Sequence, residues 1–217
     1  AEWKAKNPSK KIDDAPFWMV GEVFPHGLDK DAYYSKGQFD SLINFTFQDL
    51  ATDTTRWDGI FSEYAQKLRE EDFDVLSYIS SHDTQLADRK QLWIASTGLM
   101  LLPGGVQIYY GDETARPAGP FSRGDKQQRT RSSMNWDSID QNLLAHWQKL
   151  GQFRLAHPAI ARGQHQKIND APYVFSRVLQ KDKVVVAIGV TKAERIPVAK
   201  VFAEGAQLKD AYSQAVL

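Results

Sequence analysis

Apolar and polar positions follow two rhythms along the first 160 residues of the chain. Short apolar runs read as strands: Phe17 to Val23, Phe39 to Phe45, Asp74 to Ser81 and Val106 to Tyr110. Each is bounded by turn-forming residues, such as Pro16 and Pro25-His26-Gly27 around the first, and is of strand length. Between them the period lengthens. From Arg56 to Leu68 the apolar residues Trp57, Ile60, Phe61, Tyr64, Ala65 and Leu68 form the stripe of an amphipathic helix. A second helix is predicted over Gln85 to Leu102, stopped by Pro103-Gly104-Gly105. A third places Leu143, Leu144, Trp147, Leu150 and Phe153 on one face, and a short one at the start ends at Asn7-Pro8. Strands alternating with helices call for crossovers and a parallel sheet. After His157-Pro158 the helices stop. Tyr173–Leu179, Val184–Val190 and Ile196–Phe202 are β-rich runs separated by polar turns such as Gln180-Lys181-Asp182-Lys183, which predicts an antiparallel sheet. The expected organisation is α/β: alternating elements over residues 1–160, then a β-sheet domain over 161–217.

Polar residues gather at the carboxyl ends of the predicted strands: Glu22, Asn44, His82-Asp83 and Asp112-Glu113. A (β/α)8 barrel builds its active site there. A doubly wound open sheet uses the same ends, although no Gly-x-Gly-x-x-Gly fingerprint follows any strand. Glu22 closes an apolar run. If buried, its carboxyl is pushed toward a pKa suited to a general acid, or else it answers an Arg or Lys structurally. One such acid with a second carboxylate nearby, here Asp83, is the equipment of glycoside hydrolysis. The structural alternative is that each acid caps its loop or pairs with Arg131 or Lys30. His82 can bind a substrate hydroxyl, donate in catalysis, or hold a loop. Asp112-Glu113 reads most simply as a cap, and Arg131 as an exposed loop residue. No His, Asp and Glu set has zinc spacing, and neither a Gly-x-Ser-x-Gly elbow nor a P-loop occurs.

Composition narrows the classes further. The 217 residues carry 27 basic and 27 acidic side chains, so nothing favours nucleic acid or a membrane surface. Hydrophobic residues at 42% and charged residues at 25% are ordinary for a soluble globular protein. The absence of Cys removes disulfides, thiolate metal sites and Cys nucleophiles. The amino end, Ala1-Glu2-Trp3-Lys4, has no basic-then-apolar signal segment, and the apolar stretch near Leu92 to Leu102 is too short to cross a bilayer. Aromatic residues make up 12%; they fill cores first, though sugar rings also stack on them.

Four segments in order, Phe17-Trp18-Met19-Val20-Gly21-Glu22-Val23, Phe39-Asp40-Ser41, Ser80-Ser81-His82-Asp83 and Gln107-Ile108-Tyr109-Tyr110-Gly111-Asp112-Glu113, resemble the alpha-amylase family of glycoside hydrolases. The Arg131-Ser132-Ser133-Met134-Asn135-Trp136 loop and the Phe153-Arg154…His157-Pro158 helix end fit the same pattern. The resemblance implies the C-terminal half of a (β/α)8 barrel, strands five to eight, followed by part of an antiparallel C-terminal domain. It implies an endo-acting, retaining enzyme that hydrolyses α-1,4-glucosidic bonds of starch and maltodextrins. Glu22 matches the general acid/base, Asp83 the transition-state stabiliser and His82 a contact to the reacting glucose, with Arg131 as a further sugar contact. Ser81 stands where many relatives have Asn. The family's nucleophile, an Asp in a Gly-Phe-Arg-x-Asp-like motif on the fourth strand, has no counterpart here. The implied partners are therefore an α-glucan and a second chain, the N-terminal half, which would also hold most ligands of the family's calcium. No metal ligand is assigned to this chain. Asp14-Ala15-Pro16-Phe17-Trp18 and Thr130-Arg131-Ser132 resemble secreted, periplasmic members, which implies that location. A transglycosylase or isomerase of the family, or a non-catalytic glucan-binding module, is the alternative.

Overall fold

The computed structural model describes residues 2–120 and 129–216. Four strands, β1 (Val20–Gly21), β2 (Ser41–Asn44), β3 (Asp74–Ser77) and β4 (Gly105–Val106), form a parallel sheet in chain order. β2 and β3 pair from Ser41 opposite Asp74 to Asn44 opposite Ser77, whereas β1 and β4 each pair over two residues. Among the described residues six α-helices accompany them: α1 (Glu2–Lys6), α2 (Ala32–Ser35), α3 (Trp57–Glu71), α4 (Leu92–Leu101), α5 (Gln141–Ala156) and α6 (Ala159–Arg162). An antiparallel sheet follows, ordered β5 (Gln164–Asn169), β6 (Tyr173–Leu179) and β7 (Asp182–Ile188), and residues 189–216 run on as turns with one isolated bridge, Lys209 to Val216. A four-strand parallel sheet followed by an antiparallel sheet is the α/β architecture that the sequence pattern predicts.

The predicted stripe of α3 is buried through Trp57, Ile60, Phe61, Tyr64 and Ala65, and the helix stops at Asp72 in the left-handed conformation, φ 52°. Helix α4 is apolar on nearly every side, and seven of its ten residues are buried, so it lies inside the core rather than on it. Its last carbonyls need donors. Arg154 of α5 gives Nη1 to Met100 O at 2.9 Å and to Leu102 O at 2.8 Å, and Arg177 of β6 gives Nη2 to Leu101 O at 3.3 Å. Burial lowers these guanidinium pKa values, to about 10 for Arg154 and about 9 for Arg177.

Both sheets share one core. Trp57 stacks on Phe61 with centroids 5.7 Å apart, and Phe61 meets Phe175 of β6 edge-on at 5.6 Å. All three are fully buried, each contributing about 1.5–3 kcal/mol of hydrophobic stabilisation. Arg177 lies 5.2 Å and 5.1 Å from the Phe61 and Phe175 ring centres. Its Nε donates to His165 Nδ1 at 2.9 Å, so that nitrogen carries no proton. The other ring nitrogen, Nε2, then donates to Asp58 of α3 at 3.0 Å. Burial and the Arg177 charge depress His165 to a pKa of about 4.

Several elements depart from the expected pattern. The first run yields a strand of two residues, and Phe17, Trp18 and Val20 are 78%, 52% and 40% exposed. β1 pairs on one side only, so its other edge and its apolar flank meet solvent in this chain. The segment Gln85–Gln91 precedes α4 as a loop and a 3₁₀ turn over Arg89–Gln91. Residues 196–202 form no strand. Pro197 lacks a ladder donor, and Val201 and Phe202 turn back to donate to Val198 O at 2.8 and 2.9 Å. The third antiparallel strand is instead Gln164–Asn169, a polar edge strand. The middle of the predicted Thr114–Asp137 loop, residues 121–128, lies outside the described residues.

Candidate active site

Because the four strands run parallel, Glu22, Asn44, the His82-Asp83 turn and Asp112 all lie at one end of the sheet. β1 is held close to β2 at Gly21, where a Cβ would come within 2.7 Å of Leu42 Cδ2. Asp40 Oδ2 accepts from Met19 N at 2.7 Å and so extends the β1–β2 pairing by one side-chain bond. Glu22 follows directly and is exposed. This corrects the expectation of a buried acid: with β1 at the edge, nothing among the described residues covers the carboxylate. Glu22 sits near enough to Tyr78 for its charge to help raise that phenol, though burial is the larger cause. The Tyr78 hydroxyl is buried beside Ser81 and Thr84 without a well-formed hydrogen bond.

Asp83 is gripped from two sides. His82 Nε2 lies 3.0 Å from its Oδ2, and Arg131 Nη2 donates to its Oδ1 at 2.8 Å. Arg131 Nη1 and Thr130 Oγ1 both donate to His82 O, at 2.7 and 2.6 Å. Ser81 shapes the turn beneath: its Oγ accepts from Thr84 N at 3.1 Å and lies 2.7 Å from Thr84 Oγ1. Thr84 Oγ1 in turn donates to Gln48 Oε1 at 2.8 Å, tying the turn to the segment after β2. The side chains of His82, Asp83 and Arg131 remain 50%, 42% and 38% exposed, open to a ligand while bonded to one another. The carboxylate thus pairs with Arg131 as one structural alternative foresaw. Lys30 instead donates to Glu71 O and Asp72 O.

Two other strand-end groups, Asn44 and Asp112, are buried among this chain's own polar side chains. Asn44 is fully buried; its Nδ2 donates to Tyr64 Oη at 2.8 Å and Ser77 Oγ at 2.9 Å. Asp112 corrects the expectation of a helix cap. It is fully buried, and its Oδ1 accepts from Ser80 Oγ at 2.7 Å and Arg89 Nη2 at 2.9 Å, while Oδ2 has no partner. Burial raises its pKa, and the Arg89 charge works against that. The sequence reading missed Arg89, Thr130 and Arg116, because neither periodicity nor motif distinguishes a buried loop arginine from an exposed one. Among the described residues no three His, Asp or Glu side chains converge as a cation site. The described residues thus offer no carboxylate cluster of the kind that contributes to calcium sites.

No protein-family profile matches the chain. It is 45% identical over 193 residues to the periplasmic alpha-amylase of Escherichia coli, covering 85% of this chain and 28% of that protein. It is 27% identical to the cyclomaltodextrin glucanotransferase of Geobacillus stearothermophilus, covering 91% of this chain and 29% of that one. Among solved structures, the alpha-amylase of Geobacillus thermoleovorans, complexed with acarbose, superposes with a TM-score of 0.57 over 86% of this chain and 44% of that one, at 20% identity. That likeness concerns the fold. The chain spans less than a third of either curated relative's length.

Proposed function

Because this chain belongs to the alpha-amylase family of glycoside hydrolases, we propose that it supplies two of the reacting carboxylates of an endo-acting, retaining enzyme that cleaves α-1,4-glucosidic bonds of starch and maltodextrins. Glu22 is the general acid/base: protonated, it gives its proton to the departing glycosidic oxygen; ionised, it takes one from the incoming water. Asp83 is the stabiliser of the positive charge that develops at the sugar ring, and His82 and Arg131 bind sugar hydroxyls beside it. The observation that carries this reading is the grip on Asp83 by His82 and Arg131 at the sheet end that also bears Glu22. A carboxylate oriented by two partners, yet partly open to solvent, is suited to meet a cationic transition state.

The nucleophile comes from elsewhere. In a retaining enzyme it stands about 5–5.5 Å from the acid, and in our reading it belongs to an N-terminal half that packs on this chain as a second part. The exposed Phe17, Trp18 and Val20 at β1, and Ile108 and Tyr110 beyond β4, support this, since both edges of the sheet offer apolar surface. The same part would cover Glu22 and hold most ligands of the family's calcium. A periplasmic location follows the relative named for it, and no helix among the described residues is long and apolar enough to cross a membrane. We assign residues 1–160 to the catalytic barrel and 161–217 to a C-terminal sheet domain. The similarity to a glucanotransferase favours a second reading in which the acceptor is another sugar. Maltoheptaose products longer than the substrate, with little reducing-end release, would select it.

Glu22→Gln is the direct test. The side chain is exposed, so folding should be untouched, while starch hydrolysis should fall at least about 10²-fold. Near-normal activity would refute the assignment. Native mass spectrometry should reveal a tightly held second polypeptide; a cooperatively folded monomer of this chain alone would contradict the two-part reading.

A further inference from the structure

The turn after β4 encloses an arginine that the proposed reaction does not use. Arg116 is fully buried. Its Nε donates to Tyr110 O at 2.9 Å, Nη2 to Thr130 O at 3.0 Å, and Nη1 to Ser132 O at 3.1 Å and to Ser132 Oγ. The guanidinium lies 3.9 Å from the Tyr110 ring centre and 5.4 Å from that of Tyr109. The backbone is shaped around this side chain. Gly111 has φ +85°, and a Cβ there would come within 2.4 Å of Arg116 Cβ and 2.6 Å of its Nε. Ala115, just before it, also takes a left-handed φ of 57°.

A cation buried against main-chain carbonyls is an expensive way to fill space, because desolvation opposes it. What the guanidinium supplies, and an apolar side chain cannot, is a rigid planar fork with donors in fixed directions. Two of its arms reach Thr130 and Ser132, the residues on either side of Arg131. The third reaches Tyr110, three residues beyond the Gln107 N to Ser77 O bond that joins the end of β4 to β3. Arg131 then reaches from this clamped segment to Asp83 and to His82 O.

We propose that Arg116 is the positioning residue of the site: by clamping the main chain on both sides of Arg131, it sets the distance at which Arg131 meets Asp83. The assignment deepens the glucan-site reading and rests on it for its functional consequence, though not for its geometry. Arg116→Lys keeps the charge and loses the fork. In the native enzyme it should lower kcat on maltoheptaose about 10²-fold, the cost of misplacing a reacting group by about 1 Å. The double variant with Arg131→Ala should be no more than about threefold slower than Arg131→Ala alone, since the first residue acts through the second. Multiplying losses, or an unchanged kcat in folded Arg116→Lys, would overturn the proposal.

A second readout needs no activity. Trypsin cleavage of the Arg129–Thr130 bond, followed by mass spectrometry on the folded protein, should quicken roughly tenfold in Arg116→Lys as the segment opens. An unchanged rate would overturn the proposal. A quickened rate in a protein that, as the native enzyme, does not turn over maltoheptaose would leave the clamp standing and remove the glucan reading. Should Arg116→Lys fail to fold, Ser132→Ala deletes one acceptor and should quicken the same cleavage about threefold; no change there would count against the proposal equally.

Discussion

Lowering the pH should weaken the joint between α3 and the antiparallel sheet, and one side chain dominates the effect. His165 sits between a donor and an acceptor: Arg177 Nε points at its Nδ1, and its Nε2 faces Asp58 Oδ1. A second proton on the ring would have to displace the arginine. Lys167, 3.2 Å from Asp58, and Tyr173, whose hydroxyl is 3.4 Å from Asp58 Oδ1 and 3.5 Å from His165 Nε2, complete the surroundings, and neither gives Nδ1 an acceptor in place of the Arg177 donor. The pKa in the folded state is about 4, against 6.5 ordinarily. The unfolded chain therefore binds the proton more readily. The stabilisation is fully present above pH 6.5 and is lost as pH falls toward 4. At roughly 1.4 kcal/mol per pH unit the loss reaches about 3 kcal/mol, with little discount for screening because the side chain is only 2% exposed. Urea unfolding of the native protein, followed by tryptophan fluorescence at steps from pH 7.5 to 4, measures it. His165→Gln offers an amide acceptor and donor in place of the two ring nitrogens and does not titrate. It should show a slope flatter by most of that amount over the window. Equal slopes in both proteins would refute the reasoning.

Two further perturbations follow from close packing and buried charge. Gly98→Ala in α4 gains up to about 1 kcal/mol of helix propensity. Its Cβ, however, would come within 2.8 Å of both Ala51 O and the buried Trp57 ring, so a net loss of about 1–2 kcal/mol in urea unfolding is expected. Asp112→Ala removes the acceptor shared by Ser80 and Arg89. It should cost about 3 kcal/mol, toward the low end for breaking a buried pair because Arg89 keeps 20% of its side chain in solvent; an unaltered urea midpoint would show that Arg89 is already satisfied by water.

What could be read from the chain depended on whether the partners of a segment lie within it. The α3 stripe was legible because Trp57, Phe61 and Tyr64 all face a core made of this chain's own residues. β6 came out with its predicted ends, since strands flank it on both sides. The Phe17–Val23 run promised burial, but periodicity reports that a surface is apolar, not which element covers it, and here both Phe17 and Trp18 are exposed. β5 was illegible for the opposite reason: its inward His165 is satisfied by Arg177 and Asp58, so a polar sequence hides a paired strand. At the candidate site, Glu22, His82 and Asp83 could be named through a family resemblance, and their placement at one sheet end followed from the alternation. The Arg131–Asp83 contact joins residues 48 positions apart and leaves no trace in local pattern. The clamp at Arg116 is a matter of main-chain geometry, which no side-chain rhythm encodes.

Arg154 and Arg177 serve as the C-terminal caps of a helix to which neither belongs. Anyone shortening the chain for expression should weigh this. A cut after residue 160 would look safe on paper, since α6 ends nearby and a sheet begins. It would nonetheless strip Leu101 O and Ile160 O of their shared donor and leave Phe61 without the Phe175 ring that meets it edge-on. The shortened product should be less soluble than the parent, with α4 frayed at its end. The useful engineering boundary lies beyond β7, where the last residue touching that network has already been made.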